Sequence, residues 1–186
     1  MWGVLAIAPS DRMDWLLENG LTFIGVPLLI ATHRQRPLTN RAWVQVTIFL
    51  VLHTIGSHYT YSEVPAGFWV KDALGLSRNH YDRLVHFSFG LLMVRPIREV
   101  GFGGTREPGP VARFYFMVAG VALWSCLYEV LEWAVAAVVD PAAGTAYLGT
   151  QGDQWDAEKD MALAVLGGVI AATTDWSRDR RDHPRR

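Results

Sequence analysis

The amino-acid sequence predicts an all-α protein, a polytopic transmembrane bundle of about five spanning helices in a single domain, residues 1–186. Three observations lead there. Charges sit in blocks separated by long apolar stretches, so a mean hydropathy of only +0.14 conceals strong segregation. The run from Phe114 to Tyr128 has no charge and no strongly polar residue except Ser125. Arginines collect in alternate connections, as they do when a chain crosses a membrane repeatedly.

Five apolar segments carry this reading. The first, residues 14–32, includes Leu21, Phe23, Ile24, Leu28, Leu29 and Ile30. Pro27 should kink it, which neighbouring helices tolerate in a membrane. The second, residues 40–55, follows Pro37 and the capping residues Thr39 and Asn40. The third, residues 79–94, is expected to stop before Pro96. The fourth, residues 110–139, has Pro110 in its first turn and Pro141 beyond its end. The fifth covers residues 153–176. A hydrocarbon core of ~30 Å needs roughly 20 helical residues. The uncharged centres of the second, third and fifth segments are shorter, which draws their polar terminal turns into the fold. Met1 to Ala8 is apolar but too short for a signal peptide and lacks a basic start. Trp43, Trp124, Trp133 and Trp176 lie near segment boundaries, where aromatic belts form.

Composition excludes some classes. A net charge of −1 with no basic run interleaved with aromatics gives no nucleic-acid signature. The lone Cys126 cannot form an internal disulfide. Orientation comes from arginine placement. Arg34, Arg36 and Arg41 lie between segments one and two, Arg95, Arg98, Arg106 and Arg113 between three and four. Arg178, Arg180, Arg181, Arg185 and Arg186 form the tail. One crossing per segment puts all three groups on one side, which is then cytoplasmic, with the C-terminus.

The same topology gathers acids and histidines at the outer end. Glu18 lies at the outer end of segment one. His53 and His58 lie at the end of segment two, Asp82 and His86 at the start of three. Glu129 and Glu132 are late in four, and Asp153, Asp156 and Asp160 begin five. Asp82 and His86 are spaced i, i+4 and Glu129 and Glu132 i, i+3, so each pair shares a helix face. Such groups at membrane depth ordinarily face a bundle interior or cavity. Several carboxylates together repel one another, and a divalent cation relieves this. Histidine with carboxylate suits zinc, manganese or iron, and carboxylates alone suit magnesium or calcium.

The competing explanation is helix capping. Asp82, Asp153 and Asp156 could each simply complement a helix N-terminus. Capping explains Glu129 and Glu132 poorly, because they sit near a C-terminal end. It also explains His86 and Asp160 poorly, each a turn inside its helix. The connection from Gly56 to Arg78 is long and aromatic. Phe68, Trp69 and Leu74 suit a short interfacial amphipathic element, which either lids the cluster or serves only as an ordered connector.

Four segments carry a family resemblance: HTIGSHYTYSEVP (His53 to Pro65), NHYDRLVHFSFGLL (Asn79 to Leu92), YEVLEW (Tyr128 to Trp133) and GTQGDQWDAEKDM (Gly149 to Met161). Together they resemble the bacterial inner-membrane YjdF family, an uncharacterised group of multi-pass proteins, from about Asp14 onward. The resemblance implies a bacterial inner-membrane location and no particular activity. Asp82 with His86, Glu129 with Glu132, and Asp160 also give a looser likeness to VanZ-like membrane proteins, which implies an envelope location.

The expected function is an outward-facing pocket in which His53, His86, Glu129, Asp156 and Asp160 hold a metal ion. Glu132 or Asp82 would then act as general base on bound water, with a lipid or envelope component as substrate. A cation or proton transporter is the alternative. It would need polar residues through the inner leaflet, where segments two to four offer little beyond Gln45 and Thr47. A third reading is a structural membrane protein whose polar cluster only locks the bundle.

Overall fold

The computed structural model describes residues 2–182 except residue 104, with side chains described as far as Asp175. The side chains of Trp176 and of the arginine tail from Arg178 onward lie outside the described set. The described residues form helices α1 (Trp2–Leu5), α2 (Arg12–Glu18), α3 (Gly20–Thr32), α4 (Asn40–His58), α5 (Pro65–Leu74), α6 (Tyr81–Phe102), α7 (Pro110–Ala136), α8 (Pro141–Leu148) and α9 (Asp156–Asp182), with one 3-10 turn at Tyr61–Glu63. No strand occurs among them.

Local chemistry accounts for most boundaries. Asp11 caps α2 by accepting from the Asp14 amide. The first predicted segment is two helices, because Asn19 interrupts it. This fully buried residue donates Nδ2 to the Trp15 carbonyl and to Ser57 Oγ, and its Oδ1 accepts from Trp2 Nε1. It thereby ties α1 and α2 to α4. Thr39 caps α4, and Glu99 accepts from both its amide and its hydroxyl, each at 2.8 Å. Gly75 and Gly149 end α5 and α8 at φ +63° and +57°, left-handed positions that glycine adopts without strain. Asp140 caps α8 by accepting from Ala142 and Ala143.

The third segment corrects an expectation. Helix α6 does not stop before Pro96 but runs through it to Phe102. Proline there removes one amide donor. Ending the helix in apolar surroundings would strand up to four carbonyls, a larger cost. Smaller corrections follow from capping. α4 reaches His58, α7 ends at Ala136 because Pro141 starts α8, and α9 begins at Asp156 because Asp153 sits in the preceding turn.

Helix α6 is central and packs on α4, α7 and α9. Val94, Met117, Val121, Ala164 and Ala172 make the core where α6, α7 and α9 meet. Helices α6 and α9 run in the same direction and touch along a seam of small residues. A Cβ at Gly90 would overlap the Ala164 carbonyl, and one at Gly167 would overlap the Phe87 carbonyl. Such close backbone approach is how membrane helices gain dispersion contact without a hydrophobic drive.

Two spans among the described residues are long and apolar enough to cross a membrane: Arg12–Thr32 and Pro110–Ala136, with mean hydropathies of 1.4 and 1.6. Only 17% of the 18-residue apolar stretch within each is buried. Their apolar side chains point outward, with Ile24 66% and Trp133 68% exposed. A core helix of a soluble protein would bury that surface, whereas a helix facing lipid need not.

Candidate metal centre

The acidic ends of α2, α6, α7 and α9 converge. His86 lies one turn after Asp82 on α6, and its Nε2 is 3.4 Å from Asp82 Oδ1. The same nitrogen is 3.5 Å from Glu129 Oε1 on α7. Asp160 enters from α9, and ligand atoms of Asp82, His86 and Asp160 all lie within 4.8 Å of one another. His86 and Asp160 are buried, and the Glu129 side chain is 9% exposed. Glu129 Oε1 and Asp160 Oδ1 are shielded from solvent with no hydrogen-bond partner. Unsatisfied buried carboxylate oxygens are costly unless a cation or proton meets them.

Further acids border this group. Glu132 lies one turn beyond Glu129 on α7, on the same helix face. Glu18 on α2 accepts from Tyr128 Oη at 2.7 Å, and the Tyr128 ring meets the His86 ring edge-on. Asp82, Glu129 and Asp160 thus surround one imidazole.

The neighbouring arginines are already engaged. Arg78 donates to both oxygens of Asp156, at 2.5 and 3.0 Å, and to the carbonyls of Thr150 and Gly149. Arg83 reaches Asp153 at 2.6 Å and Asp156 at 3.1 Å. Asp153, outside the helices, also accepts from Lys159 and from the Trp155 amide. The Lys159 hydrogen bond, that amide and Arg83 hold its carboxyl well below the usual range.

The predicted residues therefore separate. His86, Glu129 and Asp160 come together, joined by Asp82, which was expected only as a base. Glu132 lies beside Glu129. Asp156 is bound by Arg78 and Arg83, whose side chains carried no sequence signal beyond their charge. His53 pairs instead with Tyr61: its Nδ1 is 2.5 Å from Tyr61 Oη, its ring stacks on Phe49, and its buried Nε2 has no hydrogen-bond partner among the described residues. Burial pushes the Tyr61 hydroxyl well above its ordinary range. The sequence reading missed Tyr128 and Tyr61, since tyrosines in an aromatic-rich chain give no local hint of facing acids. Asn79 was also missed. It receives the Tyr81 amide on Oδ1 and donates Nδ2 to the Val64 carbonyl, which holds the start of α6 against the loop.

The family model described as "Predicted membrane protein (DUF2238)" matches residues 1–181. The chain belongs to the DUF2238 family. This DUF2238 protein is 41% identical over 164 residues to the inner membrane protein YjdF of Escherichia coli (strain K12), a match covering 88% of this chain and 78% of that relative. No solved structure matches. The resemblance read from the four sequence segments is thus borne out. The chain is a membrane protein, and the outward-facing apolar surfaces of α3 and α7 have a bilayer to face. Within the Gly56–Arg78 connection lies α5, where Trp69 and Leu74 project outward and Lys71 lies over the Phe68 ring.

Proposed function

We propose that this chain is a multi-pass inner-membrane protein whose outward-facing pocket binds a divalent metal ion and uses it on a lipid or envelope substrate. The observation that carries the reading is the convergence of Asp82, His86 and Asp160 within 4.8 Å, beside buried carboxylate oxygens with no hydrogen-bond partner among the described residues. In it, Asp82, His86 and Asp160 hold the ion, Glu129 flanks it, and Glu132 serves as general base toward a bound water. Three protein ligands with a position left open is the usual form of a catalytic metal site. One nitrogen with several carboxylate oxygens favours zinc, manganese or iron over magnesium.

Five crossings belong to the same proposal: the α2–α3 pair, α4, α6, α7 and α9. Helices α4, α6 and α9 have 19, 22 and 27 residues. At ~1.5 Å per residue each reaches about the thickness of a hydrocarbon core. The location is supported by the relative named an inner membrane protein. Orientation is supported by the arginines of alternate connections meeting at one end, where Arg36 donates to the Gly103 carbonyl and Arg98 pairs with Glu107 and Asp175. That end is cytoplasmic.

Two experiments test this. Elemental analysis of the purified full chain should give one equivalent of transition metal, lost in His86→Ala and Asp160→Asn variants that keep wild-type helicity. Wild-type protein that carries no stoichiometric metal, and takes up none when zinc, manganese or iron is supplied, sinks the metal reading. For topology, cysteines at Arg106 and Thr145 in a Cys126→Ser background should label from opposite faces. Labelling of both from one side overturns the arrangement.

A further inference from the structure

At the other end of the molecule, α4 and α9 flank α6 without closing over it, leaving a half-open cavity of about 210 Å³. Its mouth carries Arg41, Gln45, Arg95 and Asp175, and its wall includes Leu91 and Leu92. The polar groups lie at the arginine-rich end, and the leucines lie a turn nearer the middle of α6.

The charges at this mouth are unevenly satisfied. Asp175 is held tightly by Arg98 at 2.5 Å and only loosely by Arg95 at 3.4 Å. Among the described residues Arg95 has one other anion, Glu99 at 3.5 Å, and Glu99 already accepts two shorter bonds from Thr39. Arg41 makes no hydrogen bond or ion pair among the described residues. Gln45, one turn along α4 from Arg41, has its Oε1 buried without a donor among the described residues. The mouth therefore offers two under-used guanidinium groups to an anion, an amide oxygen and a carboxylate to a donor, and an apolar wall to a hydrocarbon chain.

We propose that this groove binds one phospholipid of the inner leaflet. The phosphodiester sits between Arg41 and Arg95, and a hydrogen-bond donor of the headgroup, an ammonium or a hydroxyl, reaches Gln45 and Asp175. The first part of an acyl chain lies along Leu91 and Leu92. Guanidinium is well suited to phosphate, as a planar fork of donors. Basic pockets between membrane helices on the cytoplasmic side are where phospholipid headgroups bind. Phosphatidylethanolamine and phosphatidylglycerol both have the required donor. Phosphatidylcholine does not.

The test is native mass spectrometry of the delipidated full chain in detergent, with each of the three phospholipids or inorganic phosphate added. Wild type should retain one phosphatidylethanolamine or phosphatidylglycerol, with phosphatidylcholine held less. Arg41→Ala should lower retention about fivefold, near the contribution of a single basic residue to lipid attraction, and Arg41→Lys should keep most of it. If Arg41→Ala loses helicity, Arg41→Gln takes its place in the comparison. Equal retention by wild type and the neutral variant overturns the proposal. So does equal retention of all three lipids. Inorganic phosphate bound as tightly as phospholipid overturns the lipid assignment in favour of a free-anion site.

Discussion

Gly90 of α6 and Ala164 of α9 meet backbone to backbone, and one turn earlier on each helix stand His86 and Asp160. The helices run in parallel, so the contact that closes the seam also sets the separation of the two candidate ligands. A Cβ at residue 90 has no flexible side chain to push aside, only the Ala164 carbonyl and the Gly168 amide. Gly90→Ala should therefore cost about 1–3 kcal/mol through overpacking, and Gly90→Leu more. Thermal unfolding in detergent checks the cost. Elemental analysis of the Ala variant should show metal content falling with it.

The buried ion pair between Arg78 and Asp156 should behave differently from a metal ligand. Both side chains are almost inaccessible, 7% and 5% exposed. Removing Asp156 leaves Arg78 only the Thr150 and Gly149 carbonyls and a distant Asp153, at a cost of about 3–5 kcal/mol. Removing Arg78 costs less, because Asp156 keeps Arg83 at 3.1 Å, and removing both recovers part of the larger cost. Asp156→Asn and Arg78→Met should each lower the melting temperature, and the double variant should lie above the worse single. Folded Asp156→Asn should still bind metal. Loss of metal with an unchanged melting temperature would return Asp156 to the ligand set.

His53 gives the complementary case. Its contact with Tyr61 joins α4 to the turn that follows it. Tyr61→Phe leaves a buried imidazole nitrogen unpaired and should destabilise by about 1–3 kcal/mol. Metal stoichiometry should be unchanged. Calorimetry and elemental analysis on one preparation separate these outcomes.

Asp153 makes stability depend on pH. Its carboxyl is held below the ordinary range by Lys159 first, then by the Trp155 amide and Arg83. A depressed folded-state pKa stabilises fully above the unfolded value, roughly pH 4. That stability is lost as pH falls through the lower, folded value. Wild type should lose stability steeply below about pH 4. Asp153→Asn, which cannot titrate, should show a shallower acid slope with less stability near neutrality. An identical slope in both would show that Asp153 is not the group responsible.

Much of this was legible in one dimension. Apolar segments bounded by Pro37, Pro110 and Pro141 marked the helices, because proline and capping residues act locally. The i, i+4 spacing of Asp82 and His86 and the i, i+3 spacing of Glu129 and Glu132 fixed their shared faces by helix geometry alone. Two other features were not legible. The passage of α6 through Pro96 depends on what surrounds the helix, and the break at Asn19 depends on partners as distant as Ser57.

The sequence by itself determined that the chain is helical and apolar, and which end of each segment holds acids or arginines. Those properties follow from spacing and composition. The tertiary structure alone decided which acids are free to act together. Asp156 and Asp160 are four residues apart on one helix; position marks Asp156 as a possible cap and Asp160 as not one, but says nothing of what either meets. Packing of α6 on α9 puts Asp156 against Arg78 and Arg83, and Asp160 beside His86 with an oxygen left unmatched. The same side-chain chemistry becomes an ion pair in one place and a candidate ligand in the other, because only the fold determines which charge lies within bonding distance.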